Sequence, residues 1–333
     1  MPTCPACTST AFSTLVPSER VDEECREREQ FVADRLPRPA SADELKDLTS
    51  FFHQSKANIM ACADCGLLVR EEHEPPPAET YSEDDYDPTV MENLFPRYLE
   101  AFRSKAHSYR ALLPQVARVL EIGSHYGAFL QAAQEWGWSV EGVDVGKDTS
   151  RFARSKGFTV HSKELSDCRF PDRSFDGVFI WNCFEQILDP KPTLAECRRI
   201  VKPGGVLVVR TPNGLLYSVA QKLLADRERN SGLAESLKEA MAYNNLLGFP
   251  YQYGYSAATL ERLIEPFGFK PDGKLNSELI TLPLPEKPNW VETQEQAVNS
   301  ELRSIARAVQ RNGEDTLLGP WIEVWFRRAN GEY

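Results

Sequence analysis

Hydrophobic and polar positions change period several times along this 333-residue chain. Over residues 93–113 apolar side chains recur at helical spacing, and Pro114 ends the run. The apolar stretch 116–122 that follows suits a strand buried on both faces of a parallel sheet. Strands and helices then alternate. Strands are predicted near 117–122, 139–145, 158–161, 176–181 and 205–211, with helices between them at 127–136, 148–156 and 190–201. Such alternation builds βαβ units and a doubly wound α/β sheet. A helical segment over 215–247 and the aromatic stretch 249–255 come next, and residues 215–255 are expected to form a lid over the carboxyl edge of the sheet. A helix at 256–266, a helical insertion at 289–311 and a closing strand at 321–326 complete the pattern.

Ahead of this alternation the chain reads differently. Two Cys-x-x-Cys pairs, Cys4/Cys7 and Cys62/Cys65, bracket a charged segment, 18–56, that is expected to be an exposed, solvated helix-and-loop insertion. After Arg70 the acidic stretch containing Pro75, Pro76 and Pro77 reads as a semi-rigid connector. The expected division is a zinc-binding module over 1–70, a connector over 71–92 and the α/β domain over 93–333. Two thiolates two residues apart form a knuckle that presents both sulfurs to one ion. Two knuckles complete the tetrahedral four-sulfur set that Zn²⁺ prefers, and Gly66 suits the turn of the second. Cys25 or His53 could replace one ligand. A closed four-thiolate site leaves no open position, so its role is structural. Cys168, Cys183 and Cys197 stand alone and read as semi-buried thiols.

Composition narrows the partners. A formal net charge of −11 disfavours binding through phosphate contacts, so no nucleic-acid partner is expected. The chain starts without a charged, then apolar leader, and no run approaches the ~20 apolar residues of a membrane helix. A cytoplasmic protein without a membrane partner is expected. Its eight cysteines then serve as metal ligands or buried thiols rather than disulfides.

The segment 119–130 combines a buried strand, a tight turn with glycines at 123 and 127, and the first turn of a helix. Glycines there let the backbone turn sharply and approach a ligand, while free N–H groups at the helix start face it. The next strand ends at Asp144, 21 residues after Gly123, where a carboxylate can accept both hydroxyls of a ribose. The spacing Gly123-x-x-x-Gly127 lacks the third glycine of a dinucleotide pyrophosphate site.

Together, Glu121-x-Gly123-x-x-x-Gly127, Asp144, the segment 170–176 and the segment 199–209 resemble the successive motifs of class I S-adenosylmethionine-dependent methyltransferases, over about residues 93–282. The resemblance implies a Rossmann-like, doubly wound, seven-stranded and mostly parallel sheet with an antiparallel closing strand, beside a small zinc-ribbon-like module. It also implies that Glu121 and the turn Gly123, Ser124, His125, Tyr126 and Gly127 line the methionine half of the cofactor. Asp144, with Val145 after it, takes the ribose, and Glu164 and Leu165 flank the adenine. Asn182 and Cys183 fall where the family places residues beside the sulfonium and the incoming nucleophile. Two positions depart from the family: His125 replaces the middle glycine of the turn, and Glu185-Gln186 replaces a frequent Glu-His pair. The cysteine module joined to this core also resembles the arrangement in sugar C-methyltransferases, without their further carboxyl-terminal domain.

The expected activity is methyl transfer to a small-molecule acceptor, by O- or C-methylation of a sugar or secondary metabolite. Catalysis is then mostly positioning in a dry pocket, with the reactivity supplied by the cofactor. An acceptor that must lose a proton also needs a base, and His125, Tyr251 and Tyr253 are the candidates, with His161 a further one. The tyrosines also suit an apolar wall with hydroxyls at its rim. Two other readings stay open: a zinc-dependent partner-binding protein whose Rossmann-like domain holds cofactor without turnover, and a methyltransferase acting on protein or RNA.

Overall fold

The computed structural model describes residues 3–42, 45, 57–71, 88–225, 231–282, 284, 286–311 and 316–330. Much of the 18–56 insertion with His53, the three prolines of the connector, and 226–230 in the expected lid lie outside the described residues. In chain order the elements are β1 (Phe12–Val16), α1 (Ser18–Ala33), β2 (Ile59–Cys62), β3 (Leu68–Arg70), α2 (Pro88–Ser104), α3 (Ala106–Arg110), β4 (Arg118–Ile122), α4 (Ala128–Glu135), β5 (Ser139–Val143), α5 (Lys147–Ser155), β6 (Val160–His161) and β7 (Phe175–Trp181). They continue with α6 (Pro190–Ile200), β8 (Val201–Pro212), α7 (Gly214–Ala225), α8 (Ser231–Tyr243), β9 (Tyr253–Gly254), α9 (Ala257–Ile264), β10 (Phe269–Ser277), α10 (Asn289–Arg311) and β11 (Trp321–Arg328).

Among the described residues the larger sheet has seven strands in the order β10-β11-β8-β7-β4-β5-β6. The pairings β4–β5, β4–β7, β5–β6 and β7–β8 are parallel. Parallel strands need crossovers, and α4, α5 and α6 supply them, as the alternating pattern requires. Strand β11 runs the other way. Its end lies at the start of β8, where an Arg328 Nη donates to the Val201 carbonyl, and the residue before it lies past the end of β8, where the Asn213 N–H donates to the Pro320 carbonyl (2.9 Å). Val119, Leu120, Val178, Phe179, Ile180 and Val206 to Val209 are fully buried. Each contributes roughly 1.5–3 kcal/mol of apolar burial, which explains their unbroken hydrophobic runs. Strand order departs in opposite directions from β4, toward β5 on one side and β7 on the other, and that reversal opens a crevice at the carboxyl ends.

By compactness the chain forms two units, and each is discontinuous in sequence. The second comprises Pro75–Thr211, Glu261–Lys274 and Glu323–Tyr333, and the first comprises Met1–Glu74, Pro212–Leu260 and Leu275–Ile322. The first unit holds a four-stranded sheet, β1-β2-β3-β9. Strand β1 pairs antiparallel with β2, β2 with β3, and β3 with β9 through Leu68↔Gly254 and Val69↔Tyr253. Its core joins Val16, Val21, Ile59 and Leu68 to Tyr217, Ala220, Leu224, Met241, Leu246 and Phe249. Helices α7 and α8 therefore bury their apolar faces against the core of the cysteine module.

Several expectations change. The segment 215–247 is two helices rather than one, and 93–113 is interrupted between α2 and α3. Strands β1, β2, β3 and β10 are too short or too polar to announce themselves. Helix α1 is no simple solvated element, because Val21, Glu24, Arg28 and Val32 form a buried face at helical spacing. Glu24 is satisfied there by Tyr217 Oη (3.0 Å), Gln221 Nε2 (2.5 Å) and the Gly248 N–H (2.9 Å), each donating to it. No helix among the described residues is long and apolar enough to cross a membrane.

Candidate active site

At the end of β4 the backbone turns through Gly123 (φ +73°), His125 (φ +45°) and Gly127 (φ +78°). The Gly123 N–H donates to the Val143 carbonyl (2.8 Å), which ties the turn to the neighbouring strand, and the Gly127 N–H closes it onto the Ser124 carbonyl (2.8 Å). A Cβ at Gly123 would lie 2.5 Å from Cys183 Sγ, and one at Gly127 would lie 3.0 Å from the Phe158 ring. Both positions thus need glycine twice, for the left-handed backbone and for space. Helix α4 starts at Ala128, so its first N–H groups face the crevice. Helix α2 sets Tyr98 beside the turn, its ring 6.0 Å from Tyr126 and 6.2 Å from His125, while His125 stacks on Tyr126 at 3.7 Å.

Asp144 follows β5. Its Oδ2 accepts from the His125 N–H (2.6 Å), and its Oδ1 accepts from the Gly146 N–H (2.9 Å) and Thr149 Oγ1 (3.1 Å). The carboxylate thereby locks the glycine turn to the second strand. Burial raises its pKa against the lowering effect of those three donors. Val145 beside it is exposed, as is Glu164, whereas Leu165 is buried.

Past β7, Asn182 takes a left-handed backbone (φ +57°) and its Oδ1 accepts from Arg210 Nη1 on β8. Arg210 is fully buried and pairs through Nε with Glu323 Oε1 on β11 (3.3 Å), which also pairs with Lys105 Nζ. Cys183 Sγ donates to the Ile122 carbonyl (3.4 Å). Its thiol is held protonated by burial first and then by the charges of Glu185, Asp144 and Glu121. Three carboxyls thus surround one thiol at the ends of β4, β5 and β7. Burial lifts Glu121 far above the ordinary carboxylate range, and the charge of Asp144 lifts it further. Glu185 is pushed up to about 7 by burial, against hydrogen bonds from its own backbone, Thr211 and Gln186 and the charge of Arg210. Glu121 Oε2, Ser124 Oγ and Glu185 Oε2 are buried without a hydrogen-bond partner. A native interior pairs most such atoms, and water, an ion or a ligand completes those left over; these three lie together at the glycine turn and the end of β7.

The crevice therefore brings together Glu121, Gly123, Ser124, His125, Tyr126, Gly127, Asp144, Asn182 and Cys183. Sequence reasoning missed Glu185, Arg210, Glu323 and Lys105. Glu185 stood in view only as half of an altered Glu-His pair, and nothing local marks a buried arginine two strands away. Burial lowers the His125 imidazole to about 4, so it is neutral and weakly basic near neutrality. His161 Nε2 lies 3.1 Å from Glu141 Oε2 and is engaged by that carboxylate. Tyr251 and Tyr253 belong to the first unit, where Tyr253 lies in β9 and the Tyr251 carbonyl accepts from Arg70 Nε (3.1 Å).

The first unit gathers Cys4, Cys7, Cys62 and Cys65 with all four sulfurs within 4.8 Å of one another. Cys4 and Cys65 are 3.6 Å apart, and Cys7 and Cys62 are 3.5 Å apart. A tetrahedron with Zn–S bonds of ~2.3 Å has edges of roughly 3.8 Å, so the cluster fits one zinc ion. Thr8 (φ +63°) and Gly66 (φ +77°) each return their N–H to the first cysteine of their knuckle, Cys4 (2.8 Å) and Cys62 (2.9 Å).

Comparison with known proteins agrees with the site. The family model described as a methyltransferase domain matches residues 92–272. A demethylmenaquinone methyltransferase from Tropheryma whipplei is 30% identical over 118 residues, 33% of this chain and 49% of that protein. A ubiquinone biosynthesis O-methyltransferase from Pseudomonas aeruginosa is 29% identical over 113 residues, 31% and 49%. The chain spans about half the length of these curated relatives. Among solved structures, a methyltransferase in complex with the Trm112 methyltransferase activator of Haloferax volcanii superposes with a TM-score of 0.47 at 16% identity, over 74% of this chain and all of that one. With its glycine turn, its acidic crevice and a family match over more than half its length, the chain belongs to the methyltransferase-domain family, within the class I S-adenosylmethionine-dependent group its motifs resemble.

Proposed function

We propose that the protein transfers the methyl group of S-adenosylmethionine to a small-molecule acceptor. The observation that carries this is the set of buried, unpartnered oxygens on Glu121, Ser124 and Glu185 around a turn that has no room for a side chain at Gly123 and little at Gly127. The cofactor carries an ammonium and a sulfonium group, so buried carboxyl oxygens left without a donor suit it. In this reading Glu121 and the turn 123–127 hold the methionine half. Asp144 and Val145 meet the ribose, Glu164 and Leu165 flank the adenine, and Asn182 and Cys183 lie beside the reacting end. The bound cofactor supplies an electrophilic methyl group, and the chain's own part is to orient it, exclude water and take up a proton.

A small acceptor agrees with the acidic net charge and with the names of the quinone-pathway relatives. O- or C-methylation of a sugar or secondary metabolite is the reading we adopt. One structural zinc on Cys4, Cys7, Cys62 and Cys65 is the corresponding reading of the first unit. None of the eight cysteines is paired in a disulfide, and a reducing, cytoplasmic setting is the reading we adopt with it. Calorimetric titration with S-adenosylmethionine and S-adenosylhomocysteine tests the donor site, with Asp144→Ala expected to weaken both at least tenfold. Failure of the native protein to bind either ligand would remove the proposal and favour a partner-binding role. Metal analysis of the same sample should give about one zinc per chain, and its absence would reduce the cluster to four buried thiols.

A further inference from the structure

Resting on the donor-site reading above and narrowing its acceptor from a sugar to a secondary metabolite, we infer that Glu185 is the proton acceptor of the transfer and that the methyl acceptor is an acidic hydroxyl, of the phenol or enol class. Glu185 lies two residues beyond Cys183, whose sulfur abuts Gly123, so it shares the carboxyl-end crevice with the glycine turn. It is 4% exposed, and its Oε2 has no partner. The groups that act on it are Arg210 on β8, Thr211 and Gln186, with Glu323 behind Arg210, and it shares the Cys183 thiol as a neighbour with Asp144 and Glu121. Arg210 reaches Asn182 and Glu323, and its charge also bears on the Glu185 carboxyl, whose Oε2 is left without a hydrogen bond. A carboxyl so placed titrates near neutrality. It can both accept a proton during transfer and release it to water afterwards.

The other candidates fit worse. His125 is too weakly basic, and Glu141 engages His161. In the step itself the acceptor oxygen bonds to the methyl carbon as the carbon–sulfur electron pair returns to sulfur, and the hydroxyl proton passes to Glu185 Oε2. Charge balances, because one cation and one carboxylate become a neutral thioether and a neutral acid. A carboxylate base suits a hydroxyl that is itself fairly acidic, since an aliphatic alcohol lies many units above it.

Proton-linked calorimetry tests this without an acceptor. Both adenosyl ligands carry the ammonium group, and the sulfonium charge alone distinguishes them. At pH 7, titrations of the full chain in phosphate and in Tris should show S-adenosylmethionine releasing about half a proton more than S-adenosylhomocysteine, as the sulfonium drives the half-protonated carboxyl to its anion. Glu185→Gln should abolish that difference while retaining binding, and Glu185→Asp should keep most of it. Equal proton release by the two ligands in the native protein, or a difference that survives in the Gln variant, would overturn the inference. If the Gln variant does not fold, the native and Asp proteins still decide. Absence of binding by either ligand would instead strike the donor-site reading, and this inference with it.

Discussion

At Gly123 a single missing methyl group decides whether the site exists. Gly123→Ala would force a side chain into a left-handed backbone and onto Cys183 Sγ. The expected result is a stability loss of about 1–3 kcal/mol and at least tenfold weaker binding of S-adenosylmethionine, read by thermal unfolding and calorimetry. Adding Cys183→Ala should restore part of the stability, because it removes the sulfur contact and leaves the tight approach of its Cβ (3.1 Å) and the backbone strain. At Glu185 the sign of a pH effect can be worked out. Its folded pKa, about 7, lies above the ordinary 4.5, so folding favours the protonated form. The associated stability is complete below about pH 4.5 and is lost as pH rises through 7. Glu185→Gln should therefore be close to neutral at pH 5 and stabilise the ligand-free protein at pH 8 by on the order of 2 kcal/mol, in denaturant titrations at the two values. An equal effect at both would contradict a neutral buried carboxyl. The glycine turn and Asp144 were legible in the sequence because their demands are local. Glu185 was not, since its titration depends on burial and on Arg210, which arrives from another strand.

Among elements, α1 shows how a charged sequence hides an inward face. Its 16 residues are rich in Glu and Arg, yet Glu24 is buried and collects donors from Tyr217, Gln221 and the backbone of Gly248. Glu24→Ala would leave three buried donors unanswered. An expected loss of about 3 kcal/mol follows, against less than about 0.5 kcal/mol for Glu19→Ala on the exposed side, by thermal or chemical unfolding. A comparable, small effect of both would mean that α1 is the solvated helix its composition suggests. Strand β9 makes the same point with two residues. Tyr253 and Gly254 extend the cysteine module's sheet across a long stretch of chain, and the N-terminus of α7 comes so close that a Cβ on Gly214 would lie 2.3 Å from the Gly254 carbonyl oxygen. Helical periodicity over 215–247 located the helices but did not say what their apolar faces bury.

For the whole molecule, charge and metal make separate predictions. With a net charge of −11, binding to an RNA hairpin should be weaker than about 0.1 mM at physiological salt, with no systematic salt dependence by fluorescence anisotropy. Tight, salt-sensitive binding would revive a nucleic-acid substrate. Chelation of the metal, or Cys62→Ser, should lower the unfolding temperature by several degrees, because a four-thiolate zinc contributes directly to folding. No change on chelation would remove the structural metal. What the sequence determined by itself was set by short-range physics. Unbroken apolar runs specified buried parallel strands, left-handed turns demanded Gly123 and Gly127, a strand end presented Asp144, and the two-residue spacing of Cys4/Cys7 and Cys62/Cys65 prepared two knuckles. Only the tertiary structure decided which knuckles and strands meet, that residues 212–260 gather with the cysteine module, and that Lys105, Glu323, Arg210 and Asn182 form one chain of polar contacts near Glu185, buried at Arg210 and Glu323. Those outcomes depend on desolvation and on partners distant in sequence, which no window of local pattern contains.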